Sequence, residues 1–428
     1  MNYSGRRVLQ LLPVFLILTA CCVRVVVCFQ HNPMDYLYSD SLRHWKNGLN
    51  FPRGGYLGAA DPIVYQAYIS LLRRVTHDSR FMIALASALL SLMMPWTYYR
   101  AARNFGMAKT PALWAWALIA CTPSLITIYH FMMMETLLLF IDGLALWMTA
   151  RYLRKGGTGP FLDSVVAWTL ACLTKPTVIP LAVVCVLWSW WKKKNPVRDI
   201  AIAAAVVIVL LVPQSIRSKK ELGFIAPFGN PWLTKIQHRS GAKTFRINYH
   251  GPHHDDEFYF SSPTCYVRPL EPLNSWAIRR AFGDSVFTMS ADYNHGSRDW
   301  ANAYSNLHVG WDEWLSQWRE NILVFLFVPS WPEYTYVQWD SLLEIYSRWI
   351  WMPLIVVVIA GNIRTFSRRG FDLLPVATTL LLLFLMFQNV ATAEGRYRKP
   401  VEPLLLLNLV WLISQKNKAT KQLAEAVQ

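Results

Sequence analysis

Apolar residues in this chain fall into blocks separated by short basic or polar stretches. The blocks cover residues 8–29, 81–99, 111–129, 136–150, 161–173, 177–191, 200–213, 349–363, 371–387 and 401–413. A helix rising about 1.5 Å per residue needs roughly 20 apolar residues to cross a hydrocarbon layer of about 30 Å, and most blocks run roughly 15 to 22 residues. The pattern predicts an all-α polytopic membrane protein with roughly ten transmembrane helices.

The polar stretches sort by charge. Arg6 and Arg7, the turn from Arg100 to Lys109, the group Arg151, Arg154 and Lys155, the run Lys192 to Lys194, and Arg364, Arg368 and Arg369 all fall on one side if every block spans. The positive-inside rule makes that side cytoplasmic and puts both termini there. Residues 30–80 then form the first outer loop, in which 41–48 and 62–74 have the spacing of amphipathic helices lying in the interface. Residues 214–348 form a long outer segment, a small folded domain or a structured loop. The expected organisation is a membrane module over 1–213 carrying a catalytic first outer loop, an outer-face segment over 214–348, and closing helices with a cytoplasmic tail over 349–428.

Composition agrees with this reading. The chain is 54% hydrophobic with 20 tryptophans, and its mean hydropathy is +0.24. A net charge of +16 would suggest nucleic acid in a soluble protein, but here topology accounts for it, and no nucleic-acid partner is expected. The seven cysteines lie almost all in apolar blocks without metal or disulfide spacing. The first block is long, contains Arg24 and has no small-residue cleavage site after it, so it reads as a retained span.

Candidate chemistry concentrates in the first outer loop, where Asp35, Asp40 and Asp61 stand among Arg43 and His44. A carboxylate at a membrane face can take a proton from an acceptor, and nearby arginines can hold a phosphate leaving group. Asp61-Pro62 reads as a helix N-cap with proline at the first helical position, or as a second acid that orients an acceptor or a metal. Glu135 reads as a first-turn acid favoured by the helix dipole, or as a partner of the aspartate loop. Lys175, Arg217, Arg396 and Arg398 lie at outer span ends, where the charge rule does not ask for them. They are either snorkelling cations or a phosphate clamp, and Arg396 has Glu394 as an alternative partner. His253, His254 and Asp255, in HGPHHDDEFYF, are metal-ligating types in no strict motif and read more simply as a solvated loop. No cofactor is assigned, and a divalent cation stays open.

Four pieces in order resemble one family. SDSLRHWKNG and DPIVYQAY after a first span with an internal arginine, METLLLF, VPQSIRSKKELGF and EGRYRKPVEPLLL are similar to stretches of the glycosyltransferase C superfamily. The likeness is to its branch of protein O-mannosyltransferases and lipid A aminoarabinose transferases. The resemblance implies a polyprenyl-phosphate-linked sugar donor, an inverting transfer, and an aspartate base in the first outer loop. It points to Asp40, with Asp35 as the rival, because Ser41 stands where the family often has a second acid. A lipid, glycan or protein acceptor, contact with membrane lipid, and a bacterial plasma membrane with the site on its outer face complete the expectation. The outer segments have no N-x-Ser/Thr sequon. The alternative is a transporter or flippase of a lipid-linked or anionic substrate.

Overall fold

The structure, a computed structural model, describes residues 3–37, 39–52, 58–59, 61–194, 196–229, 244–249, 256–261, 322, 325–326, 345–387 and 395–427. In chain order the helices are α1 (Tyr3–Gln30), α2 (Ser39–Leu49), α3 (Ile63–Thr76), α4 (Arg80–Asn104), α5 (Lys109–Cys121), α6 (Pro123–Thr127) and α7 (Met134–Lys155). They continue as α8 (Thr158–Thr174), α9 (Ile179–Lys193), α10 (Val197–Leu222), α11 (Met352–Arg369), α12 (Leu373–Phe387) and α13 (Glu402–Val427). Two strands, β1 (Thr244–Tyr249) and β2 (Asp256–Ser261), pair antiparallel with Thr244 opposite Ser261. This hairpin is the sheet among the described residues of an otherwise helical chain.

Every apolar block coincides with helix, but the count of about ten spans does not follow from helix length. Among the described residues five helices are long and apolar enough to cross a membrane, or six if the bent pair of α5 with 123–130 counts as one span. The shortfall has a simple cause. Helix α8 has 17 residues, and α9 and α12 have 15 each, which at about 1.5 Å per residue fall short of a layer of about 30 Å. Large apolar side chains of the long helices, such as Phe15, Leu18, Ile208, Val209 and Val356, face outward, as lipid contact requires.

Two ends differ from the sequence expectation. The seventh block does not exit at residue 213: α10 continues through Pro213 and stops at Leu222, where Gly223 takes φ 80°. A proline removes only one helical hydrogen bond, whereas the left-handed glycine ends the helix. The third block is bent by 64° at Thr122, because Pro123 has no N–H to offer the preceding turn.

Arg24 answers that break. Its guanidinium donates to the carbonyls of Ala120 at 2.9 Å, Ile119 at 3.2 Å, Leu125 at 3.0 Å and Ser91 at 3.1 Å, and to Ser91 Oγ at 2.8 Å. The carbonyls stranded at a helix end are thereby satisfied inside an apolar environment where water cannot serve. The charge that looked costly in the first block is thus a structural cap between α1, α4 and α5.

Helices α4 and α7 meet closely at Gly143. A Cβ placed there would stand 2.0 Å from Thr97 Oγ1 and 2.8 Å from the Tyr98 ring, so only glycine lets the two backbones approach. Gly143→Val is expected to destabilise the protein by about 1–3 kcal/mol, the usual cost of overpacking. Thermal unfolding in detergent measures it, and an unchanged midpoint would mean the contact is absent. Beside it Asp142 is buried, with both carboxylate oxygens lacking a hydrogen-bond partner among the described residues.

Candidate active site

The chain leaves α1 through a 3₁₀ turn, Pro33–Tyr36, capped by Asn32, whose Oδ1 accepts from Met34 N at 3.0 Å. Asn32 also donates to the Arg80 carbonyl at 2.9 Å. Asp35 in this turn pairs with Arg80 at 2.6 Å, and both side chains are exposed. Asp35 is therefore tied to the start of α4.

Asp40 sits in the first turn of α2, with Arg43 one turn further on the same face. Arg43 Nη1 lies 2.6 Å from Asp40 Oδ1. Its Nε and Nη2 donate to the two oxygens of Asp61 at 3.1 and 3.3 Å. One guanidinium thus holds two carboxylates from separate stretches, the bidentate side going to Asp61. His44, fully buried, places Nδ1 3.4 Å from Asp61 Oδ2. That distance allows electrostatic attraction, but neither ring nitrogen has a hydrogen-bond partner among the described residues.

Asp61 does not cap α3. The N-cap is Pro62, without a side-chain bond, because the Asp61 carboxylate is drawn instead to Arg43. Burial pushes that carboxyl up, but Arg43 and His44 outweigh it and hold Asp61 below the usual carboxylate range. A carboxylate so firmly ionised and enclosed is a poor proton acceptor. Asp40 keeps more open surface, 22% of its side chain against 13% for Asp61.

The far end of α10 closes over the same loop. Gln214 donates to the Ala59 carbonyl at 3.0 Å, and Arg217 donates to the Gly58 carbonyl at 2.5 Å and to Gln66 Oε1. Gln66 in turn donates to Gly58 at 2.8 Å and reaches Asp61 Oδ2 at 3.5 Å. Arg217 is buried, yet its Nε and Nη1 find no partner among the described residues. Buried, unpaired charged donors are costly, and two such N–H groups could be satisfied by an anion.

Behind Asp61, Tyr65 is buried with its ring edge-on to His44 at 5.1 Å. Burial, with Tyr68 and Glu135 nearby, pushes its phenol well above the ordinary value. Glu135 and Lys175 pair there at 2.5 Å, both buried, from the N-terminus of α7 and the hinge between α8 and the turn before α9. Lys175 Nζ stands 4.9 Å over the Tyr397 ring. Arg398 is completely buried, donating to Glu402 at 3.0 Å and to the Phe325 carbonyl at 3.0 Å, with the Trp351 ring 5.1 Å away. Ser124 hydrogen-bonds Glu402, and Lys399 donates to the Ser124 carbonyl. Sequence reasoning missed Lys399 and Glu402, although the i,i+4 spacing of Arg398 and Glu402 was a usable signal. It also missed His130, buried and stacked on His31 at 4.9 Å, whose Nδ1 meets Tyr36 OH at 3.0 Å.

Of the candidate residues, Asp40, Arg43, His44, Asp61 and Arg217 therefore form one connected group. Glu135 and Lys175 lie behind it through Tyr65, Arg398 belongs to a neighbouring buried cluster, and Asp35 is held apart. The Arg396 side chain, and His253, His254 and Asp255, lie outside the described residues. Among the described residues no cluster of three metal-ligating side chains occurs.

Residues 60–216 match the family model described as dolichyl-phosphate-mannose-protein mannosyltransferase. The family that this stretch resembles is of the glycosyltransferase C type. Asp61, Glu135 and Lys175 fall inside the matched stretch, Arg217 directly follows it, and Asp40 and Arg43 reach it through the Arg43–Asp61 contact. No curated protein and no solved structure matches the chain. The matched stretch is similar to a family of membrane glycosyltransferases, and the apolar helices are those of an integral membrane protein.

Proposed function

We propose that this protein transfers a single sugar from a polyprenyl-phosphate carrier to an acceptor, with inversion, at the extracytoplasmic face of the membrane. The acceptor is a lipid, a glycan or a protein side chain. The observation that carries the reading is the Arg43 clamp on Asp40 and Asp61, set beside a buried arginine with unpaired donors. A displacement of this kind needs one base and one stabilised leaving group. Asp40 takes the acceptor proton, Arg43 fixes its orientation, and Asp61 stays ionised to hold Arg43. Arg217 receives the departing phosphate, with Lys175 and Glu135 shaping the wall behind. The basic side-chain clusters at the opposite span ends support a cytoplasmic assignment for that face and hence an outer site. The name of the matched family supports the donor class.

Mass spectrometry of polyprenyl-linked sugars in cells lacking the protein tests the reaction: one such lipid accumulates if it is the donor, and an unchanged profile overturns the proposal. Arg217→Gln is expected to raise the apparent KM for the lipid donor by about tenfold or more, since a charge-assisted bond to phosphate contributes on the order of 1.5–3 kcal/mol. An unaltered KM with normal folding would reduce Arg217 to a tether for Gly58.

A further inference from the structure

At the end of the bundle opposite Asp40, the C-terminal ends of α4, α7 and α9 meet the start of α12 and the middle of α13 around a cavity of about 510 Å³. Helix α4 alone, 25 residues long, separates the two ends by about 37 Å at 1.5 Å per residue. The cavity is therefore distinct from the glycosyl-transfer site and lies where the spans emerge from the hydrocarbon. Its wall carries Lys192 and Lys193 from the last turn of α9, Asp372 just before α12, Gln415 on α13, and the rings of Trp188 and Trp411.

We propose that this cavity binds the headgroup of an anionic phospholipid from the surrounding bilayer. Lysines in a last helical turn are favoured by the helix dipole and by topology alone, but those effects do not build a concave site with two tryptophan walls. Among the described residues no acid pairs with Lys192 or Lys193, and the Asp372 carboxylate has no side-chain partner. Two ammonium groups against one carboxylate leave the cavity positive, which suits a phosphodiester. The Asp372 carboxylate can accept from headgroup hydroxyls, which free phosphate lacks. The volume is in the range of about 300–1,000 Å³ usual for small-ligand sites. Tryptophan rings with one polar edge belong at this depth. On α9 and α12, Leu187 and Leu383 face outward and offer an apolar surface to acyl chains.

Native mass spectrometry of the full chain, loaded from detergent with phosphatidylglycerol or with phosphatidylcholine, tests this. The wild-type protein should retain one phosphatidylglycerol. Lys192→Gln with Lys193→Gln should weaken that retention about 30-fold, on the order of fivefold for each lysine near a membrane surface, without moving the unfolding midpoint. Lys192→Arg with Lys193→Arg should preserve it. Equal retention of phosphatidylcholine, unchanged retention in the glutamine variant, or displacement of the lipid by an equal concentration of inorganic phosphate would overturn the proposal. Because the readout is lipid retention, it is independent of whether sugar transfer is observed.

Discussion

Asp40→Asn is expected to abolish sugar transfer, lowering turnover by about 10²–10⁴-fold, the usual contribution of a positioned general base. The substitution keeps the shape of the side chain and its acceptor oxygen toward Arg43, so the fold and donor binding should survive. Release of polyprenyl phosphate in membranes supplied with the lipid-linked sugar measures the first, and co-purification of donor measures the second. Asp35→Asn is expected to change little, because Asp35 sits in an exposed pair with Arg80, where such pairs contribute about 0–1 kcal/mol. Full activity in Asp40→Asn combined with loss in Asp35→Asn would exchange the two roles. Asp61→Asn is more informative about geometry: it weakens the hold on Arg43, so activity should fall while the base remains.

Glu402→Ala is expected to be the most destabilising single change outside the site. Glu402 receives Arg398 and Ser124, and Lys399 binds the Ser124 carbonyl beside it, with Arg398, Lys399 and Glu402 all fully buried. Removing this acid takes away the carboxylate that faces two enclosed cations, a change that costs about 3–5 kcal/mol. The apparent melting temperature in detergent should drop accordingly, and adding Arg398→Met should restore part of it through coupling between the two positions. A shift equivalent to less than about 0.5 kcal/mol, the size of an ordinary surface substitution, would refute the buried-charge account. This cluster also revises the role expected for Arg398. Its guanidinium is already engaged by Glu402 and the Phe325 carbonyl, which favours Arg217 over Arg398 for the proposed phosphate contact.

The helices were legible in the chain because apolar blocks and basic turns are one-dimensional signals. Their lengths were less so: Pro213 looked like an exit, yet the helix runs on to Gly223, whose left-handed backbone is the real stop. The loop aspartates could be named as candidates, but their division of labour could not. Asp61 followed by proline has the local signature of a cap, and what overrides it is Arg43, 18 residues away. Lys175 and Glu135 are 40 residues apart, and Arg24 finds its carbonyls about a hundred residues downstream. Pairings over such separations are set by helix packing, which no periodicity in the chain records. Arg398 and Glu402 are the exception, since four residues on one helix make them neighbours by construction.

Arg24 also has a consequence for biogenesis. An arginine at this depth costs a lone inserting helix about 2.5–3.5 kcal/mol, and the carbonyls that repay it belong to a helix not yet synthesised when the first emerges. The opening segment is therefore an incomplete tenant of the bilayer until residues through Leu125 have entered beside it. The first three hydrophobic segments form one assembly step, and the loop bearing Asp40 is strung between the first two. Asp40 is thus set in place by the same event that buries the arginine.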